Sequence, residues 1–347
     1  KLYFIYLLLM KNKKPKILSL FSGAGGLDLG FKNAGFEIVT SNEFDKDTFA
    51  TYEHNFPETK HLGRSIVKIG QDDLEKYYDG IIGGPPCQSW SEAGKQKGID
   101  DPRGKLFYEY VRILELIKPK FFLAENVSGM LHKKHSESVK NITERFADVG
   151  YQVKYKLLDA VDYGVPQNRK RVFIVGIRND IKKDFIFPSM ELFENSLTLR
   201  DALKDLPDPI PALEKNKTNF PDSNEKSNQI PNNEYMIGSF STIFMSRNRV
   251  RNWDEPSFTI QAGGRHAPIH PAAPKMKKIE TDKFEFCKKN LKKYRRLSVR
   301  ECARVQTFPD DFLFIYEQVA NAYKMIGNAV PVKLGEAVAI EIKKQLF

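Results

Sequence analysis

The chain has 347 residues, and 55 Lys and Arg against 44 Asp and Glu leave a formal net charge of +11. At roughly 100–200 residues per domain, this length predicts two domains or one large domain with an insertion, and a hydrophobic fraction of 41% excludes wholesale disorder. Three cysteines, Cys87, Cys287 and Cys302, make neither a disulfide framework nor a zinc site, so a reducing, cytoplasmic setting without a metal is expected.

The first apolar run, residues 2–10 (LYFIYLLLM), is too short to span a bilayer, and no membrane association is expected. Residues 1–9 are read as lying outside the native fold. The excess positive charge is compatible with a polyanionic partner without identifying one.

From residue 16 onward, strand and helix signals alternate. Residues 16–21 (KILSLF) form a short apolar run closed by SGAGG, and 27–34 open a helix. Residues 37–42 (EIVTSN) are strand-like and 45–55 helical. The run 80–83 (GIIG) ends in Gly-Pro-Pro. A helical pattern over 107–117 stops at Pro119. Strand 121–124, helix 135–149 and strand 172–177 (VFIVGI) follow. Strands alternating with helices of this length predict a doubly wound, mostly parallel α/β sheet. The rhythm stops near Pro188. Residues 205–233 hold five prolines and read as connectors, while 234–275 suit irregular β structure. Residues 275–296 carry ten Lys and Arg against three acids, and helical patterning returns at 298–306 and 332–344. The pattern predicts an α/β domain over 14–190, a smaller inserted domain over 191–296, a hinge segment over 297–318, and a C-terminal return to the first domain over 319–347.

Four places could carry chemistry. Phe21-Ser-Gly-Ala-Gly-Gly-Leu-Asp lies between strand and helix, where glycines admit a ligand to a helix N-terminus. Glu43, at the end of the next strand, can accept from ribose hydroxyls. Asp28 stands where G-x-G-x-x-G would have its third glycine, so a nucleotide-type site and a tight structural turn both fit. Cys87 follows Gly-Pro-Pro just beyond a strand, a rigid elbow that suits a nucleophile; a small buried hydrophobe is the alternative. Glu125, behind FFLA, is either a proton donor of raised pKa or a helix cap. Arg169 and Arg171, alternating ahead of VFIVGI, either hold a phosphate or base carbonyl or are solvated charges.

In this order and spacing FSGAGGLD, PPCQ, ENV and QxRxR, followed by RRLSVRECARVQTFPDDF (295–312) and YKMIGNAVPVKLGEAVA (323–339), resemble the DNA cytosine-5 methyltransferase family. The likeness runs from residue 16 to 342. It is strongest to bacterial restriction–modification members that methylate GGCC, including in IGSFSTIFMSRNRVRNWDEP (237–256). The resemblance implies a fold of the S-adenosylmethionine-dependent methyltransferase type with an inserted target-recognition domain. It also implies a DNA (cytosine-5-)-methyltransferase in which Cys87 adds to carbon 6 of a flipped cytosine and Glu125 serves ring nitrogen 3. Arg171 and Arg169 would contact the flipped nucleotide.

S-adenosyl-L-methionine is the implied methyl donor. Its implied cradle is Phe21, Gly23, Gly25, Leu27, Glu43, Pro85, Leu106, Asn328 and Ala329. Ser65 and Ile66 stand where the family has Asp-Ile, so a charge at the adenine position is gone. Residues 88–105 would close over DNA. Arg247, Arg249, Arg251 and Arg265 would read guanines, and the basic 275–296 stretch would contact phosphates. Implied partners are double-stranded DNA and a cognate restriction endonuclease, with a nucleoid location; a monomer suffices. The same catalytic motifs serve RNA cytosine-5 methyltransferases, and a silent DNA-binding protein could keep the fold. The inserted arginines favour duplex DNA, and the joint presence of Cys87, Glu125 and Arg171 favours catalysis.

Overall fold

A computed structural model describes residues 14–86, 102–190, 197–220 and 230–347. Cys87 and residues 1–9 lie outside the described residues, as does most of the loop expected over 88–105.

The first strand, β1 (Lys16–Leu20), is buried along nearly its whole length and turns through the glycine-rich segment into α1 (Gly26–Asn33). Next come β2 (Glu37–Asn42), α2 (Phe49–Asn55), β3 (Lys60–Leu62) and β4 (Gly80–Gly83). Helix α3 (Pro102–Ile117) starts earlier than the apolar spacing alone predicts. Its first residue is a proline, whose missing N–H costs nothing at that position. Then follow β5 (Phe121–Val127), α4 (Ser136–Asp148), β6 (Tyr151–Asp159) and β7 (Lys170–Arg178).

The seven strands form one sheet in the order β3-β2-β1-β4-β5-β7-β6. β1 to β5 pair in parallel. β7 is antiparallel to both β5 and β6, so the sheet is mostly parallel with one reversed strand. Residues 160–169, which join β6 to β7, are too few for the crossover that a parallel neighbour requires.

Alternation along the strands divides the core between two faces. On one, Ile17, Ile82, Leu123 and Val175 pack against Leu27 and Phe31 of α1. On the other, Leu18, Ile81, Phe122 and Ile174 pack against Tyr110 of α3 and Phe146 of α4.

Beyond the sheet, α5 (Leu199–Leu203) leads into short pairs β8 (Ile210–Pro211) with β9 (Glu234–Tyr235), and β10 (Lys277–Glu280) with β11 (Lys283–Glu285). Helices α6 (Val299–Val305), α7 (Val319–Asn328) and α8 (Val332–Leu346) finish the chain. Ser298 caps α6, accepting from the Glu301 N–H while Glu301 accepts from Ser298 N. Helices α5 to α7 share a core with Tyr52 and Phe56 of α2, whereas Phe244, Val250, Ile269, Met276 and Tyr294 form a separate small cluster.

Helix α8 lies directly on α1. A Cβ at Gly30 would come within 2.6 Å of the Glu336 nitrogen and 2.7 Å of the Val332 oxygen, so only glycine lets the two backbones meet. Lys343 closes the contact by donating to the Ala34 carbonyl at 3.0 Å.

Candidate active site

The carboxyl ends of β1, β2, β4 and β5 open into a cavity of about 710 Å³, the place where open α/β sheets bind ligands. On one side it is lined by Phe21, Gly23, Leu27 and Glu43, on another by Pro85, Pro86 and Glu125, and it is closed by Asn328 and Ala329. Residues of four of the six motifs, FSGAGGLD, PPCQ, ENV and YKMIGNAVPVKLGEAVA, thus converge on one space with Glu43.

The glycine-rich turn is dictated by backbone geometry. Phe21, Gly23 and Gly25 have φ of 56°, 55° and 89°, and a Cβ on Gly25 would strike the Phe56 ring at 2.3 Å. Glu43 holds the turn by accepting from Gly23 N at 2.9 Å through Oε2, while Oε1 accepts from Phe44 N and Asp45 N. Above Gly23 a Cβ would meet nothing within 4 Å, and the buried Ser22 hydroxyl has no partner among the described residues. An open cradle with an unused hydroxyl and a strand-end carboxylate fits the methionine and ribose parts of S-adenosylmethionine.

Asp28 is fully buried beneath this turn. Its carboxylate accepts from Ser19 Oγ at 2.6 Å and Tyr52 Oη at 2.5 Å. Burial pushes its pKa up to about 6, against the pull of those two hydrogen bonds, with Glu43 adding to the rise.

On the opposite wall Glu125 and Arg171 form an ion pair at 2.9 Å, with side chains 13% and 14% exposed. Burial raises the Glu125 pKa, and Arg171 and then Arg169 restrain the rise. Asn126 donates to the Pro85 carbonyl at 3.0 Å, fixing the elbow that leads to Cys87.

Arg169 stands elsewhere than expected. It is 1% exposed, and its guanidinium donates to the carbonyls of Ile260 (2.8 Å), Gly327 (2.7 Å) and Ala329 (2.9 Å). The expected contact with a flipped nucleotide is therefore corrected for Arg169. It precedes β7, so the two-residue alternation that was to align it with Arg171 does not hold there. Burial, then Arg171, lowers its pKa to about 9. Gln167 continues the junction, donating to Gln306 at 2.9 Å and accepting from Ile260 N at 2.8 Å.

Gly25, Ser65, Ile66 and Leu106 are not among the described residues that line the cavity. Ile66 and Leu106 belong to the apolar cluster that also contains Phe21, and Ser65 lies in a turn held by Asn42, which donates to the Leu62 and Arg64 carbonyls. Sequence reasoning missed Lys324, which lines the cavity and pairs with Asp45 at 2.6 Å and Asp47 at 3.3 Å. Its position in the YKMIGNAVP motif was visible, but nothing in sequence paired it with residues so far upstream.

The four arginines of the inserted region divide in two. Arg247 and Arg265 are exposed. Arg249 folds back to donate to the carbonyls of Phe244 (2.7 Å) and Ile243 (2.9 Å). Arg251 pairs with Glu255 at 3.4 Å and covers the Phe258 ring. Buried Arg296 supports the same region, donating to the Met236, Gly238 and Ser239 carbonyls. Among the described residues no helix is long and apolar enough to cross a membrane.

A family model described as C-5 cytosine-specific DNA methylase matches residues 15–344. The chain is 55% identical over 335 residues to the type II methyltransferase M.FnuDI of Fusobacterium nucleatum, covering 95% of each. It is 56% identical over 330 residues to M.MthTI of Methanothermobacter thermautotrophicus, covering 95% of this chain and 97% of that one. An E. coli crystal structure described as a prophage-encoded DNA modification methyltransferase superposes with a TM-score of 0.71 at 26% identity, over 96% of this chain and 99% of that one.

Proposed function

The chain belongs to the C-5 cytosine-specific DNA methylase family, and on that premise we propose that it methylates a flipped cytosine within GGCC through a covalent Cys87 adduct. The observation that carries this reading is Glu125. It is a nearly buried acid of raised pKa, facing the same cavity as the Pro85-Pro86 elbow and the Gly23–Glu43 cradle.

In the proposed reaction the Cys87 thiolate forms a bond to carbon 6. The electrons of the 5,6 double bond pass to carbon 5, while Glu125 protonates ring nitrogen 3 so that the ring does not accumulate negative charge. S-adenosylmethionine supplies an electrophilic methyl group. Carbon 5 takes the methyl as its bond to the donor sulfur breaks, and then loses its proton to a base; the Glu125 carboxylate takes back the nitrogen 3 proton as the 5,6 double bond re-forms and the thiolate leaves. Arg171 orients the Glu125 carboxyl through their ion pair and presents its remaining donors to the nucleotide. Arg169 holds the Gly327 and Ala329 carbonyls, and through them the Asn328–Ala329 wall.

Guanine reading falls to Arg247 and Arg265, whose guanidinium groups are exposed, with Arg249 and Arg251 shaping the surface between them. In a restriction–modification setting, methylated host DNA would be spared by a cognate endonuclease. The expected location is the cytoplasm, on the nucleoid, with the enzyme acting as a monomer.

Duplex DNA carrying 5-fluorocytosine in GGCC should trap a detergent-stable adduct in the presence of the methyl donor, because fluorine cannot leave as a proton does. Cys87→Ser should give none while still binding DNA. An adduct that survives Cys87→Ser, or bisulfite mapping of methylation at sites other than GGCC, would overturn the corresponding part of this reading.

The basic hairpin should behave differently. Lys277, Lys278 and Lys283 are exposed, and exchanging all three for Gln should lower the slope of log affinity against log salt by up to about 0.9 per lost phosphate contact. Sequence preference should not change. Filter binding over a salt series on GGCC and scrambled duplexes measures both.

A further inference from the structure

We propose that Asp28 is the counter-charge for the sulfonium of the bound methyl donor, converting a helix N-terminus that by itself favours anions into a site that takes a cation. This inference rests on the assignment of the cavity to S-adenosylmethionine and concerns how that ligand is told apart from its uncharged product.

A glycine-rich turn opening a helix presents unpaired N–H groups and the positive end of the helix dipole, an arrangement suited to phosphate. Here the ligand carries positive charge instead. Asp28 sits in the first turn of α1, lines the cavity, and has only neutral hydroxyls, Ser19 and Tyr52, as side-chain donors. No Lys or Arg pairs with it among the described residues. A buried carboxylate with no cation of its own, under a pocket for a cationic ligand, is incomplete until that ligand arrives.

The surroundings add little positive charge. Across the turn, β2 ends in Glu43, whose charge opposes ionisation of Asp28. From α2 comes Tyr52, stacked on His61, whose pKa burial lowers. At the mouth, Lys324 from α7 is already paired with Asp45 and Asp47. On the far wall Glu125 is paired with Arg171.

The Asp28 pKa lies near 6, so near pH 6 the group is partly protonated. A cation beside it stabilises the carboxylate, lowers that pKa and drives a proton off. Once the methyl has gone, the sulfur of the product is a neutral thioether. The stabilisation is withdrawn, and the carboxylate takes its proton back from solvent.

Titration calorimetry at pH 6, in two buffers of different ionisation enthalpy, counts these protons. S-adenosylmethionine should release up to about half a proton more than S-adenosylhomocysteine, because a group with a pKa near 6 is about half protonated there. Both ligands carry the same amino-acid end. The excess should fade at pH 8, where Asp28 is already ionised, and vanish in Asp28→Asn. Tyr52→Phe keeps the carboxyl but removes one hydrogen bond to it, so the pH of greatest release should move upward. That variant serves if Asp28→Asn does not fold. Equal proton counts for the two ligands, or an excess that persists in Asp28→Asn, would overturn the proposal. Failure of both ligands to bind would instead remove the cofactor reading of the cavity, and this proposal with it.

Discussion

Glu125→Gln is expected to lower kcat by about 10²–10⁴-fold while S-adenosylhomocysteine and DNA still bind. Gln keeps the size of the side chain and can still accept from Arg171, so the cavity wall persists. What disappears is the proton delivered to ring nitrogen 3. The pH dependence carries a second signature. Burial raises the Glu125 pKa, so the protonated, donating form survives to higher pH than in a free carboxyl. It is lost as pH rises through the raised value, which gives wild-type single-turnover rates an alkaline decline. The residual activity of Glu125→Gln should lack that limb. A variant with wild-type kcat would remove Glu125 from the chemistry.

Arg169→Met should be the most destabilising change near the site. It strands three buried carbonyls, those of Ile260, Gly327 and Ala329, each costing about 1–3 kcal/mol when unpaired. Relief from burying a guanidinium offsets part of that, leaving a loss of about 3 kcal/mol and a Tm lower by several degrees. Because two of those carbonyls flank Asn328, the stabilisation gained on adding S-adenosylhomocysteine should shrink as well. Thermal melts with and without that ligand report both effects. An unchanged ligand-induced shift would show that the Asn328–Ala329 wall stands without Arg169.

What the sequence revealed, and what it concealed, follows from the range of the forces involved. Strands β1, β2, β4, β5 and β7 were visible as apolar runs because burial on both faces of a sheet needs them. β6 was missed: its sequence YQVKYKLLD carries lysines because it is an edge strand with much of its length exposed. Helix α7 was missed because its start, Val319-Ala-Asn, carries no capping residue.

The glycine turn, Glu43 and Glu125 fell where the strand ends put them, since each is fixed by its own strand. Arg169, Arg249 and Arg251 did not behave as free guanidinium groups. Their partners are carbonyls and rings supplied by tertiary folding, which spacing cannot reveal. Asp28 was noticed only as a missing glycine. Its role depends on Ser19 and Tyr52, brought together by β1 and α2.

The contact between α1 and α8 has a consequence for the order in which the molecule is made. The helix that carries the ligand turn is pressed against the last helix of the chain, through a glycine on α1 that admits no side chain. A nascent polypeptide still on the ribosome can expose every strand of the sheet and yet leave one flank of its first helix bare, because residues 332–346 have not emerged. Closing so long a loop is slow. Until α8 docks, the helix that opens from the ligand turn is left without the backbone it packs against at Gly30.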